Sequence, residues 1–373
     1  MPRLLIFCEY PTLLGGERSM LATLPAVAAA GFEIHVAAPP QGPLATALCE
    51  RGVSHVAWPC GHGPGERPPL DRLRAELKLL IRTVRPDLIH ANSLSAARMA
   101  GPVAAACGVP SVGHLRDIVK RSRQALDDLN AHRCLIAVSC ATRDFHVAQG
   151  VDAGRCVVLH NGVDLSEFRP RPPTGYLHRE LGLPSTARLI ATIGQLGLRK
   201  GTDVALAAAW QIAPKVPNAH WLIIGERTSH KDESREFENL LHSMADEPPL
   251  AGRVHFLGSR SDIPKFLNEC ELLLHAARQE PLGRVLLEAA ASGLAVLATD
   301  VGGTREIFPT ETDGAILVPP DNRSAMADAL RALLHNDERR QSLCTGSRRR
   351  AEGAFDARHA AARLIEHYES MLI

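Results

Sequence analysis

Short apolar runs alternate with stretches of helical spacing along almost the whole chain. Leu4–Cys8 is a continuous apolar run closed by Pro11 and Gly15-Gly16, which predicts a buried strand. Helical spacing follows from Glu17 to Ala30 and stops at Gly31. The same alternation predicts strands at 33–38, 53–57, 87–90, 110–114, 133–138 and 157–159, with helices near 70–84 and 96–107. Between Asn161 and Arg188 the pattern fades, and Arg169-Pro-Arg-Pro-Pro173 suits neither a helix nor a central strand, so the interdomain linker is expected there. Alternation resumes with strands at 189–193, 219–224, 254–257, 272–275, 295–299 and 315–318. Helices are expected at 203–213, 233–244 and 284–292, with a mostly helical tail from Asp321. Strands that alternate with helices imply parallel sheets covered on both faces. The predicted fold class is α/β, with two Rossmann-like domains facing a cleft.

Composition narrows the function. A chain of 373 residues has room for about two domains. With 42 Lys+Arg against 41 Asp+Glu and 4% aromatic residues, it lacks the charge and stacking platforms of a nucleic-acid binder. The nine cysteines are scattered without a C-x-x-C pair, which fits a reducing compartment and a cytoplasmic location. Cys60 and His62 are close together, but no second pair with zinc spacing follows. Met1–Cys8 is too short for a signal peptide, and no apolar stretch approaches the ~20 residues that span a bilayer. Peripheral contact with the inner face of a membrane stays open.

In open parallel sheets ligands bind beyond the C-terminal strand ends, so the loops after strands carry the candidate chemistry. Glu280-Pro-Leu-Gly-Arg-Val-Leu-Leu-Glu288 places one carboxylate in such a loop and a second about one turn into the following helix. Gly283 lets backbone pass close to a ligand, and the free N–H groups of the helix start favour anions or polar oxygens. Arg199 and Lys200 follow a strand and a glycine-rich turn, where a diphosphate can meet cations and N–H groups together. Gly15 and Gly16 permit a similar approach to the first helix. No P-loop, G-x-G-x-x-G or Asp-x-Asp motif occurs. Gly61-His-Gly-Pro-Gly65 has the wrong spacing for a dinucleotide fingerprint and is expected to be a loop.

An ordered set of segments resembles the retaining family 4 glycosyltransferases, which have the GT-B fold. It comprises Leu14–Ser19, Val138-Ser139, Asn161–Asp164, Phe168–Pro170, Gly194–Gly201, Phe256–Gly258 with Asp262–Pro264, and Glu280–Glu288 leading to Gly302-Gly303. The resemblance implies an N-terminal acceptor domain over 1–168 and a C-terminal nucleotide-sugar donor domain over 169–355. A last helix in 356–373 would pack back on the N-terminal domain. It implies hexosyl transfer from a nucleotide diphosphate sugar to a hydroxyl of a saccharide or lipid-linked glycan, as in polysaccharide biosynthesis. Metal and cofactor are not required, because the nucleotide sugar is itself a substrate. His114, Glu280 and Lys200 take the catalytic roles by resemblance. Gly15, Gly16, Arg199, Lys200, Leu282, Gly283, Arg284 and Glu288 bind the donor, with Glu288 on the ribose and Glu280 on donor-sugar hydroxyls.

The chain departs from the family pattern in three places. Gln195 stands where a second cation is common, Pro281-Leu282 replaces Gly-Phe, and Arg116 precedes Asp117 where relatives often have histidine. Arg116, Lys120, Arg121 and Arg123 form a basic stretch suited to a phosphorylated acceptor or an anionic surface, or simply to solvent. Two other readings share the fold: a nucleotide-sugar epimerase, and a degenerate binding scaffold.

Overall fold

The computed structural model describes residues 1–58 and 68–373. Cys60, His62 and the Gly61–Gly65 loop lie outside the described residues. The chain divides into one unit of Met1–Gly162 with Ala357–Ile373, and another of Val163–Asp356.

The first unit runs β1 (Arg3–Phe7), α1 (Gly15–Ala29), β2 (Glu33–Ala38), α2 (Pro43–Glu50), β3 (Ser54–Ala57), α3 (Leu70–Val84), β4 (Leu88–Ala91) and α4 (Leu94–Ala106). It continues through β5 (Ser111–Leu115), α5 (Arg123–Asn130), β6 (Cys134–Ala137), α6 (Cys140–Val147) and β7 (Cys156–Val158). Its seven parallel strands lie in the order β3-β2-β1-β4-β5-β6-β7. Neighbouring side chains on β1 point to opposite faces, as the pleat requires. Leu5 and Phe7 enter the core under α3 and α4, whereas Leu4 and Ile6 enter the core under α1. Burial on both faces explains why these strands read as unbroken apolar runs. The chain's last helix, which carries Leu364, Tyr368 and Met371, packs into the α1 side of this core. Arg133 Nη1 donates to Met371 O at 3.1 Å and ties its end to the sheet.

The second unit opens with α7 (Tyr176–Glu180), β8 (Arg188–Ile193), α8 (Thr202–Ile212), β9 (Ala219–Ile224), α9 (Asp232–Asp246) and β10 (Val254–Phe256). Then come α10 (Ile263–Phe266), β11 (Leu272–His275), α11 (Arg284–Ala291), β12 (Ala295–Thr299), α12 (Thr304–Ile307), β13 (Ala315–Val318), α13 (Arg323–His335) and α14 (Asp337–Ala354). The helix that returns to the first unit is α15 (Ala357–Leu372). Six parallel strands take the order β10-β9-β8-β11-β12-β13. The stretch 161–188, where the hydrophobic pattern fades, is seated by specific bonds. Glu269 accepts from Thr174 N at 2.6 Å and Gly175 N at 2.8 Å, and Asn268 Oδ1 accepts from Arg171 N at 2.6 Å.

In each sheet the strand order reverses beside the first strand, between β1 and β4 in one and β8 and β11 in the other. Chains leaving such a pair part to opposite faces and leave a crevice at the C-terminal strand ends. The candidate residues lie at these two places.

Candidate active site

The second unit's switch point holds a buried charge cluster. Leu198–Lys200 form one 3₁₀ turn after β8, and Gly201 turns the chain into α8 with φ +63°. A Cβ on Gly201 would lie 1.9 Å from Ala276 O, so only glycine lets this loop touch the loop after β11. That contact carries Lys200 Nζ to 2.6 Å from Glu280 Oε2, and His275 Nε2 lies 3.0 Å from the same oxygen. Burial works to raise the Glu280 carboxyl, but Lys200 and His275 outweigh it and hold the group well below the usual carboxylate range. Burial lowers His275, so its neutral ring donates Nε2–H to Glu280. Glu280 Oε1 has no partner among the described residues and faces no internal competitor for a hydroxyl.

Arg199 Nη1 donates to Gln279 O at 3.3 Å, and Arg199 O accepts from Arg278 N at 2.8 Å. Arg278 is itself held by Asp203 at 2.7 Å, so the two loops are laced by backbone and charge together. The N-cap of α11 is Gly283, which has no side chain to cap the helix. Arg284 Nε donates to Glu288 Oε1 at 2.7 Å, leaving Glu288 Oε2 without a partner among the described residues. Leu282 is buried, so any contact it makes to a donor is through backbone. The structure therefore joins Lys200, Arg199 and Glu280, and pairs Arg284 with Glu288 one helical turn on.

The first unit's switch point is built differently. His114, on β5, is buried and stacks on His90 of β4, with ring centroids 5.3 Å apart. Arg116 is not on a solvated face with Lys120 and Arg123, which are exposed. Its guanidinium donates to Asn92 O at 2.8 Å, Asn92 Oδ1 at 2.9 Å, Asn161 Oδ1 at 2.8 Å and His114 Nδ1 at 3.1 Å. Gly15 and Gly16 form the first turn of α1, and Glu17 accepts from Leu14 N at 3.1 Å. A Cβ on Gly16 would meet Arg116 Cδ at 3.1 Å, so the glycine turn is fitted to this arginine. His90, His114, Arg116, Asn161 and Tyr368 line a cavity of about 30 Å³, which has room for water.

Sequence reasoning missed His275, Arg278, His90, Asn92 and Tyr368. His275 carried a usable signal, a histidine at a strand end five positions before Glu280. Tyr368 carried none, because it meets His90 across 278 positions of chain. Among the described residues no group of histidine, cysteine and carboxylate side chains is arranged to hold a metal ion, and no helix is long and apolar enough to cross a membrane.

Comparison with known proteins accounts for both halves of the chain. A family model described as glycosyl transferases group 1 matches residues 176–350, and one described as glycosyltransferase family 4 matches residues 14–167. The lipopolysaccharide core biosynthesis mannosyltransferase LpsB of Rhizobium meliloti is 27% identical over 224 residues, covering 60% of this chain and 62% of that protein. A D-inositol 3-phosphate glycosyltransferase of Xylanimonas cellulosilytica is 31% identical over 224 residues, covering 59% and 52%. These matches thus span about half to three fifths of the curated relatives. Among solved structures, Anabaena HepE in complex with UDP and glucose superposes with a TM-score of 0.88 at 22% identity, over 99% of this chain and 100% of that one.

Proposed function

Because the chain belongs to the family 4 glycosyltransferases, with their GT-B fold, we propose that it moves a sugar from a nucleoside diphosphate sugar to an acceptor hydroxyl, with retention and without a metal ion. The bond from the anomeric carbon to the β-phosphate oxygen breaks, and its electron pair leaves with the nucleoside diphosphate. The acceptor oxygen bonds to the same face of that carbon and gives its proton to the departing phosphate oxygen.

The observation that carries this reading is the Lys200–Glu280–His275 cluster at the second switch point. A diphosphate entering there competes with Glu280 for Lys200 Nζ, and Lys200 with Arg199 then stabilises the charge that grows on the leaving group. Glu280 Oε1 accepts from donor-sugar hydroxyls, and Glu288 Oε2 accepts from the ribose. The same reading assigns donor binding to Gly15 and Gly16, and to His114 a hydrogen bond donated to the sugar. Leu282, Gly283 and Arg284 contribute backbone at the donor. Anabaena HepE, bound to UDP and glucose, supports a nucleotide-sugar donor. The lipopolysaccharide core biosynthesis mannosyltransferase LpsB supports a saccharide or lipid-linked acceptor, and the proposal includes peripheral contact with the inner face of a membrane.

The test has two parts. Melting temperature is measured against UDP, GDP, ADP and their sugars, with magnesium or with EDTA. A ligand that binds only the folded chain raises it by mass action. A nucleotide-selective rise that survives EDTA is expected. No rise with any nucleotide, or a rise only with magnesium, overturns the metal-free donor site. With the responding donor, proton NMR of the product reads the anomeric configuration, and inversion overturns the retaining assignment.

A further inference from the structure

Three side chains of the first unit form a chain of hydrogen bonds whose direction can be deduced. Arg116 Nη2 lies 3.1 Å from His114 Nδ1, and a guanidinium only donates. His114 Nδ1 is therefore an acceptor. Burial and the neighbouring Arg116 charge both lower His114 well below its usual value, so the ring is neutral and its single proton is on Nε2. His90 Nε2 lies 3.1 Å from the same Nδ1, and two lone pairs cannot face each other there, so His90 donates from Nε2. Neutral His90, lowered by burial and Arg116 to about 3, then has a bare Nδ1. The partner of that nitrogen is the Tyr368 hydroxyl on α15, which must donate. The order is Tyr368 O–H to His90, His90 N–H to His114. The chain ends at His114 Nε2–H, which is buried and has no partner among the described residues. A buried donor without an acceptor is costly to the fold, which marks Nε2 as a group awaiting an oxygen.

We propose that Tyr368 is a positioning residue: acting through His90, and together with Arg116, it holds His114 as the Nε2–H tautomer and so presents a neutral donor to a substrate hydroxyl. The identity of that oxygen rests on the transferase reading, but the tautomer does not. Such a site favours a sugar hydroxyl over an anion, because the group offered is uncharged and cannot pass its proton on as an imidazolium would.

The test uses the full chain with ¹⁵N-labelled histidine. Long-range proton–nitrogen spectra at pH 7 are assigned with the His90→Gln and His114→Gln variants. Both rings are expected to carry their proton on Nε2. A proton on His114 Nδ1, or an imidazolium, overturns the proposal in the wild-type protein with no variant needed. Tyr368→Phe removes only the hydroxyl. It is expected to leave nucleotide binding unchanged, to mix the His90 tautomers, and to lower kcat/KM by roughly three- to tenfold, the worth of one hydrogen bond. His90→Gln keeps an acceptor for Tyr368 and a donor for His114, so it should retain transfer within about threefold, whereas His90→Leu should not. Equal losses from both His90 variants, or none from Tyr368→Phe, overturn the proposal. A wild-type protein with the expected tautomers but no transfer from any donor defeats the transferase reading and leaves the tautomer assignment standing.

Discussion

The two switch points use opposite physics on the same scaffold. In the second unit, Lys200, Glu280 and His275 meet as an ion pair with one neutral donor, and all are substantially buried. In the first, two neutral imidazoles and a phenol are wired in sequence, and the Arg116 guanidinium donates to asparagine oxygens and a ring nitrogen. A charge cluster can exchange partners when an anion arrives, since Glu280 already holds the cation that a phosphate needs. A neutral relay cannot do that. What it offers is direction, one donor in one place. The two sites thus differ in kind, a buried charge cluster in the second unit and a directed chain of neutral groups in the first.

The largest expected effect separates charge from shape in the second unit. Lys200→Ala should lower transfer by about 10²–10³, the cost of removing one electrostatic stabiliser of the leaving group. It also strands Glu280 as a buried carboxylate, which should cost about 3–5 kcal/mol of stability by urea melting. Lys200→Met with Glu280→Gln should recover the stability and not the transfer. Recovery of both would place the chemistry elsewhere. Gly201→Ala puts a Cβ 1.9 Å from Ala276 O and should destabilise the second unit by more than ~3 kcal/mol while leaving the first intact. Domain-resolved hydrogen exchange reads this difference.

Acid sharpens the contrast. The first unit buries His90, His114, His132 and His146, while His275 alone is comparably buried in the second among the described residues. A buried neutral histidine has a folded pKa below its unfolded value, so the unfolded chain takes up protons first. Its stabilisation is complete above pH ~6.5 and is lost as pH falls towards the folded value, about 3 for His90 and about 4 for His132. Each such group contributes a slope of about 1.4 kcal/mol per pH unit in that window. Glu280, held low, contributes stability above its unfolded value and loses it only below about pH 4.5. Exchange protection across β4 and β5 should therefore fall more steeply between pH 6.5 and 5 than protection across β11 and β12. Equal slopes would remove the distinction between the sites. At the small end, Arg72→Ala breaks an exposed pair with Glu76, remote in character from either site, and should change stability by less than ~0.5 kcal/mol.

The alternation of elements was legible because strands buried on both faces leave nearly unbroken apolar runs, and the helices end at glycines such as Gly31 and Gly293. Short elements were not. The eight-residue helix α2 begins at Pro43 after Gly42, and those two residues read as a turn. Strand order was invisible as well, because hydrophobic periodicity places side chains on faces and says nothing about which strands are neighbours. Glu280 and Lys200 stood out singly, but 80 positions separate them, and only the fold brings them to 2.6 Å. Arg116 read as one cation among four, since nothing local announces that Asn92 and Asn161 converge on it.

The place of α15 in the chain has a consequence for biosynthesis. Tyr368 belongs to the unit whose other residues end at Gly162, and the whole second unit is encoded between them. At ~5–20 residues per second a ribosome needs roughly 10–40 s to make the intervening ~200 residues. Through that interval the nascent first unit has its sheet and its histidines but lacks the helix that covers Met20, Leu21 and Leu24. That apolar strip is then a natural hold for a chaperone, and the hydroxyl that orders His90 arrives only after the second unit has been made.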